Sequence, residues 1–325
     1  MNQLASEPLF SVIVPTFNRA ELLGGTVESV FAQGCRDFEI IVVDDGSTDG
    51  TMDYLQSLEK HVRVFQQPNR GAGAARNLGA RHAQGRYLAF LDSDDLWFPW
   101  TLGVYRDVIR EYCDPSFIAG KPHVFSHKLD LDKVLFGGTQ AKRFVDYLAS
   151  GDEWRWWGAS SFVMRRDAFE AVGGFTEEWV NDEDTDLTLR MGVTPGFVHI
   201  IAPATFAYRE HAGSVQKDHP RLMAGTWSGV RAEKAGQYPG GKARAPERRR
   251  ILTRHIRPVV VGCIKLGLRC EAWRLYWATF AWNISLGRIK YLMATPVLAG
   301  MSYLRSLAGT KSKASGENRR VHDAY

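Results

Sequence analysis

Four short runs of β-branched and aromatic residues, Phe10 to Val14, Glu39 to Val43, Val62 to Phe65 and Tyr87 to Leu91, mark the N-terminal third of the chain. Runs this short and this apolar read as strands buried on both faces. Between them the period changes to that of a helix. Over Arg19 to Gln33 the residues Leu22, Leu23, Val27, Val30 and Phe31 fall near one helical face, Met52, Leu55 and Leu58 do the same over Thr51 to Leu58, and Ala74 to Ala83 is rich in Ala and Leu. Strand and helix in alternation predict an α/β domain with a mostly parallel central sheet. After Pro99 the pattern loosens to a helix over Leu102 to Tyr112, an irregular stretch through Gly138, a strand over Ala159 to Met164 and a short helix over Arg166 to Val172.

The stretch Gly236 to Arg250, GQYPGGKARAPERRR, concentrates Gly, Pro and basic residues as a linker does. It divides the chain into an N-terminal α/β domain over 1–239, a helical extension over 240–308 and, through KSKASGENRR, a disordered tail over 309–325. The extension holds uncharged runs of 13 and 14 residues, Leu275 to Gly287 and Tyr291 to Leu304, bounded by Arg274, Arg288, Lys290 and Arg305. Neither reaches the ~18 to 20 residues of a spanning helix. With Trp273, Trp277 and Trp282 among these cations, the segment predicts amphipathic helices on an anionic membrane surface; a bundle packed on the N-terminal domain or on a homodimer partner is the alternative.

A chain of 325 residues, 45% hydrophobic and 24% charged, buries a substantial core, which excludes disorder as the main state. Its net charge of +5 conceals an asymmetry: residues 240–325 carry 17 Lys/Arg against 4 Asp/Glu, or +13, which leaves −8 for residues 1–239. No nucleic-acid module accompanies the basic part, so nucleic acid is not an expected partner. Four cysteines with no close pair indicate neither a disulfide framework nor a zinc site and fit a reducing compartment. The opening MNQLASEPLFSVIVPTFNR lacks a basic region ahead of an apolar stretch and predicts no signal peptide, so the expected location is cytoplasmic, peripheral on the inner face of the membrane.

Ligands of open parallel sheets sit beyond the carboxyl ends of the strands, and acidic clusters fall at such places here. They are Asp44, Asp45, Gly46, Ser47; Asp92, Ser93, Asp94, Asp95; and Asn181, Asp182, Glu183, Asp184. Any one alone reads first as turn and capping chemistry; the three together point to a site. Asp92 and Asp94, two apart at a strand exit, suit Mg²⁺ or Mn²⁺, a hard cation that takes one or two carboxylates plus substrate phosphates. Asn69 to Asn77 adds small residues and two cations, Arg70 and Arg76, which would let backbone approach a phosphorylated ligand and neutralise it. Gly71 and Gly73 with Asp92 about 20 residues on also imitate a dinucleotide fingerprint. Arg76 at the third glycine position speaks against that dehydrogenase reading.

Six ordered motifs, VIVPTFNR (Val12 to Arg19), VVDDGSTDGT (Val42 to Thr51), GAGAARNLG (Gly71 to Gly79), YLAFLDSDD (Tyr87 to Asp95), the Gly173, Gly174, Phe175 turn and NDEDTDLTLR (Asn181 to Arg190), together resemble the family two glycosyltransferases of the GT-A fold. The resemblance covers residues 10 to about 215. It implies a Rossmann-like nucleotide-sugar-binding domain and an inverting transfer from a nucleotide sugar, commonly a UDP-sugar, to a glycan or lipid-linked acceptor. Pro15, Thr16 and Asp45 would hold the base and Asp44 would support that turn, with Asn18 and Ser93 in the same donor-binding motifs. Asp92 would face ribose or metal, Asp94 would bind the divalent ion, and Asp184, paired with Glu183, would be the general base that an attacking hydroxyl requires. His211, in Tyr208 to His211, would contact metal or diphosphate, and Trp157, with Trp154 and Trp156, would line the acceptor side. A noncatalytic sugar-nucleotide or membrane-binding subunit of the same fold is the alternative outside enzymes.

Overall fold

The computed structural model describes residues 7–58, 61–126, 131, 133–151, 153, 158–178, 182–210 and 219–319. Its N-terminal third alternates β1 (Phe10–Thr16), α1 (Ala20–Phe31), β2 (Phe38–Asp44), α2 (Thr51–Leu58), β3 (Arg63–Gln66), α3 (Ala72–His82) and β4 (Tyr87–Phe90). There follow β5 (Leu96–Trp97), α4 (Thr101–Glu111), β6 (Phe117–Ala119), β7 (Pro122–Phe125), β8 (Gln140–Phe144), β9 (Phe162–Arg165), α5 (Arg166–Ala171), α6 (Glu183–Arg190), β10 (Phe197–Ala202) and β11 (Phe206–Arg209). Helices α7 (His219–Lys234), α8 (Ala245–Lys265), α9 (Arg269–Ser285) and α10 (Ile289–Arg319) complete the described chain.

The large sheet has the order β3-β2-β1-β4-β9-β6-β10-β8, in which β8 and β9 run against the other six strands. A small sheet, β5-β11-β7, stands beside it. Alternation along the strands sorts the core into two layers. Phe10, Val12 and Val14 of β1 pack with Leu23 and Val27 of α1 and with Leu102, Tyr105 and Val108 of α4. Ile13, Ile41, Val43, Leu88 and Phe90 face the other way, into a layer that also holds α3, α5 and α6 and continues into α7 to α10. Gly79 makes that α3 contact close: a Cβ there would sit 2.6 Å from Cγ2 of Ile13.

Three segments differ from the sequence expectation. The strand expected over Ala159 to Met164 opens as a 3₁₀ turn, Ala159–Ser161, because the Ser161 hydroxyl and N–H both donate to the Gly158 carbonyl, at 2.8 and 3.1 Å. The linker expected over Gly236 to Arg250 ends at Arg244, where α8 begins with Pro246 in its first turn, a position that needs no N–H donor. Helix α10 extends to Arg319, through the first part of the expected tail.

The extension also uses its charge inwardly. Arg244 donates to both oxygens of Asp146 at 2.8 Å, Arg248 and Arg249 meet the buried Glu233 at 2.6 and 3.0 Å, and Arg254 donates to the Gly151 carbonyl at 3.0 Å. Of the three tryptophans expected at a membrane surface, Trp282 is instead buried beneath the Arg249 guanidinium, Trp273 is half-buried, and Trp277 is exposed. Among the described residues no helix is long and apolar enough to cross a membrane.

Candidate active site at the carboxyl edge of the sheet

Strands β1, β2 and β4 end side by side, which brings Thr16, Asp44 and Asp45, and the turn Asp92 to Asp95 to one edge. Asp44 accepts from the Ser47 N–H and the Gln66 amide. Asp45 accepts from the Gln67 amide at 2.8 Å and from the N–H groups of Arg70 and Gly71 at 2.8 and 2.7 Å, so its carboxylate pins the loop that leads into α3. Asn18, at φ 51°, accepts from the Thr48 N–H at 2.8 Å and ties the β1–α1 loop to the Asp44 turn. Beside them the Thr16 hydroxyl is buried without a hydrogen-bond partner, next to Pro15. A buried hydroxyl left unpaired costs about 1–3 kcal/mol, and a polar ligand at this edge would recover it.

Gly71, Gly73, Arg70 and Arg76 of the 69–77 segment all make contacts within the protein. Gly71 spends its N–H on Asp45, and a Cβ at Gly73 would sit 2.8 Å from the Thr176 carbonyl, so smallness at Gly73 admits the 175–176 loop. Arg70 is exposed and pairs with Glu177 at 2.6 Å. Arg76 is not presented to a ligand as a free cation. It is 4% exposed and bridges Asp92 at 2.6 Å and Glu183 at 2.9 Å, stacked over the Phe175 ring. Burial works against its charge, but Asp92 and Glu183 outweigh that, and its pKa lies above the ordinary arginine value.

That bridge joins the second acidic cluster to the third. Asp94 lies 3.7 Å from Nε of Arg19, and the Asp94 carbonyl accepts from the Arg209 guanidinium at 2.8 Å. The Ser93 carbonyl takes the Thr26 hydroxyl at 2.9 Å. Helix α6 opens at Glu183, one residue before Asp184. Asp184 is half-buried, and burial, then the charges of Glu183 and Asp182, hold its carboxyl well above the ordinary aspartate range, with Arg76 opposing. Asp182 is likewise pushed up to about 6, chiefly by burial.

Sequence reading assigned no role to Asp95, Ser160 or Arg209. Asp95, 1% exposed, accepts from the Ser160 hydroxyl at 2.7 Å and from the Arg209 N–H at 3.0 Å, while Ser160 also accepts from the Asp92 N–H at 3.0 Å. This knot fixes the turn that carries Asp92 and Asp94. Burial, then the charges of Asp92 and Asp94, hold the Asp95 carboxyl well above its usual range. Asp92 and Asp94, both partly exposed at one strand exit, offer two hard carboxylate donors, which suits Mg²⁺ or Mn²⁺, while the Asp95 carboxylate is committed to Ser160 and the Arg209 N–H. Among the described residues no group of three Asp, Glu, His or Cys side chains is assembled as a metal cage, so further ligands would come from phosphate oxygens. His211, Trp157 and Asn181 lie outside the described residues.

Residues 11–172 match the model of the family described as glycosyl transferase family 2. The chain belongs to that family. This family 2 chain is 51% identical over 96 residues, 28% of its length, to TuaG of Bacillus subtilis, which is named for teichuronic acid biosynthesis. It is 35% identical over 176 residues, half of its length, to an uncharacterized glycosyltransferase of Nostoc. These matches span 38% and 52% of the two relatives' own lengths. Residues 1–349 of TarS from S. aureus superpose with a TM-score of 0.64 at 21% identity, covering 90% of this chain and 87% of TarS 1–349, which establishes the shared GT-A fold. TarS has been crystallised with UDP and with UDP-GlcNAc.

Proposed function

We propose that this family 2 member is an inverting glycosyltransferase that moves a sugar from a UDP-sugar to a hydroxyl of a cell-envelope glycan or lipid-linked acceptor. The observation that carries the reading is the buried bridge from Asp92 through Arg76 to Glu183, at 2.6 and 2.9 Å, because it holds a donor-side acidic turn and Asp184 in one site. The nucleotide-bound TarS structures and the naming of TuaG support the donor and acceptor classes.

In this reading Pro15, the unpaired Thr16 hydroxyl and the loop pinned by Asp45 receive the base. Asp94 and Asp92 would hold a divalent cation, which acts as a Lewis acid toward the departing diphosphate. Asp184 takes the proton of the acceptor hydroxyl as its oxygen attacks the anomeric carbon. The bond from that carbon to the diphosphate oxygen breaks with its electron pair leaving on UDP, and one displacement inverts the configuration. The raised pKa of Asp184 makes it a stronger base than an ordinary aspartate once ionised.

The test is UDP release from a panel of UDP-sugars with acceptor fragments, for wild type and Asp184→Asn. The variant keeps shape and loses basicity, so turnover is expected to fall about 10²- to 10⁴-fold with UDP affinity retained. Turnover near that of wild type would refute Asp184 as the base.

A further inference from the structure

The last helix is apolar on the side that faces the protein and on the side that faces water. Inward, Leu292, Thr295 and Ala299 are buried, the Tyr276 hydroxyl donates to the Leu292 carbonyl at 3.0 Å, and the Ser302 hydroxyl donates to the Ile264 carbonyl at 3.0 Å. Outward, Ile289, Met293, Val297, Met301 and Leu304 are 57, 70, 62, 47 and 66% exposed. Steps of four, four, four and three residues place all five on one stripe of the helix. Leu298 and Tyr303 widen it, and Trp277 of α9 is 62% exposed. Between Met293 and Leu304 there is no charged residue at all. A soluble helix sets charges on its water-facing side, and a contiguous apolar face in that position marks a docking surface.

We infer that the outward stripe of α10, with Trp277, lies on an anionic lipid bilayer. Charge selects this occupant over a second copy of the chain. From Lys265 onward the sequence carries ten Lys/Arg against three Asp/Glu, with Arg288 and Lys290 at the head of the stripe and Arg305 just after it. A two-fold interface sets the same patch against itself and so brings this positive excess face to face, whereas acidic headgroups neutralise it. The geometry agrees: about 16 residues at 1.5 Å each give a stripe of roughly 24 Å, which lies in the interfacial plane with its apolar side down. The stripe shares no residue with the carboxyl edge of the sheet, so membrane docking and UDP-sugar transfer are tested by different variants.

The full chain is tested by flotation with vesicles of phosphatidylcholine alone and of phosphatidylcholine mixed with phosphatidylglycerol, at low and high salt. It is expected to float with the acidic vesicles and to be partly released by salt. Met293→Glu and Val297→Glu should each lower the partition coefficient at least about tenfold. Both positions are exposed, so thermal unfolding should match wild type and confirm that the variants are folded. Failure of the full chain to float on acidic vesicles at low salt overturns the inference. Undiminished flotation of the double glutamate variant does the same. A sedimenting dimer that the double variant dissolves, without flotation, replaces the bilayer with a second copy.

Discussion

The electrostatics of the site turn on Arg76, a guanidinium with its side chain 5% exposed that serves two carboxylates from distant parts of the chain. Removing one partner of such a cluster leaves uncompensated buried charge, so Arg76→Ala should cost about 3 kcal/mol in urea unfolding. Arg76→Lys should recover only part of this, since a single ammonium cannot present the planar fork. The residue shows how far sequence reading reaches. Its cationic type and its nearness to the acidic motifs were legible, but the partner Glu183 is 107 positions away and the pairing emerges only from the fold. The same holds for Ser160, which has no motif of its own and earns its role by lying between Asp92 and Asp95. Asp182 gives a second prediction. Its folded pKa of about 6 lies above the unfolded value near 3.9, so its contribution to stability is present below about pH 4 and lost as pH rises through about 6. Asp182→Asn should therefore gain melting temperature relative to wild type as pH goes from about 4 to about 7.5. A constant gap across that range would contradict the burial described for this carboxyl.

Among the elements, α3 is the one on which the donor side depends, because it carries Arg76 and sits tightly on β1 and β2. Gly79 has no room for a Cβ against Ile13 and little against Val43, and both of these side chains belong to a packed layer. Gly79→Ala should destabilise by about 2 kcal/mol through overpacking, measured as a lower midpoint with an unchanged slope in denaturant. Strands β1, β2 and β4 and helices α1 to α5 were legible because burial on both sheet faces leaves apolar runs and one-sided helices leave a 3.6 period, whereas β3, at the sheet edge, is only half-buried and was legible from Val62, Val64 and Phe65 alone. The boundaries that shifted lie where side-chain hydrogen bonds or proline decide the local backbone. Ser161 turning back to Gly158 made a 3₁₀ turn of expected strand, and Pro246 opened a helix inside an apparent linker. The glycines of the 71–73 turn illustrate the opposite limit, since their spacing gives no sign that Gly73 is packed against the Thr176 carbonyl or that Gly71 sits at φ 93° with its N–H on Asp45.

At the scale of the molecule, the charge asymmetry between the two parts of the chain is partly a contact between them. Arg244 is locked on Asp146, Arg254 on Gly151, and one hydrophobic layer runs from the sheet through α7 into α8, α9 and α10. Truncation after Gly240 should therefore expose Met223, Val230 and their neighbours, and the shortened chain is expected to aggregate or to lose its cooperative thermal transition; a soluble, cooperatively melting 1–240 fragment would show that the layer is dispensable. The reading of the whole as a UDP-sugar transferase rests on nucleotide binding at the carboxyl edge of β1, β2 and β4. Calorimetric titration of UDP into the full chain, with Mn²⁺ or Mg²⁺ and again with chelator, measures this most directly. Saturable binding that is markedly tighter with metal, and that loses most of the metal dependence in Asp94→Ala, is the predicted result. Absence of UDP binding, or equal binding with metal, with chelator and in Asp94→Ala, would contradict it.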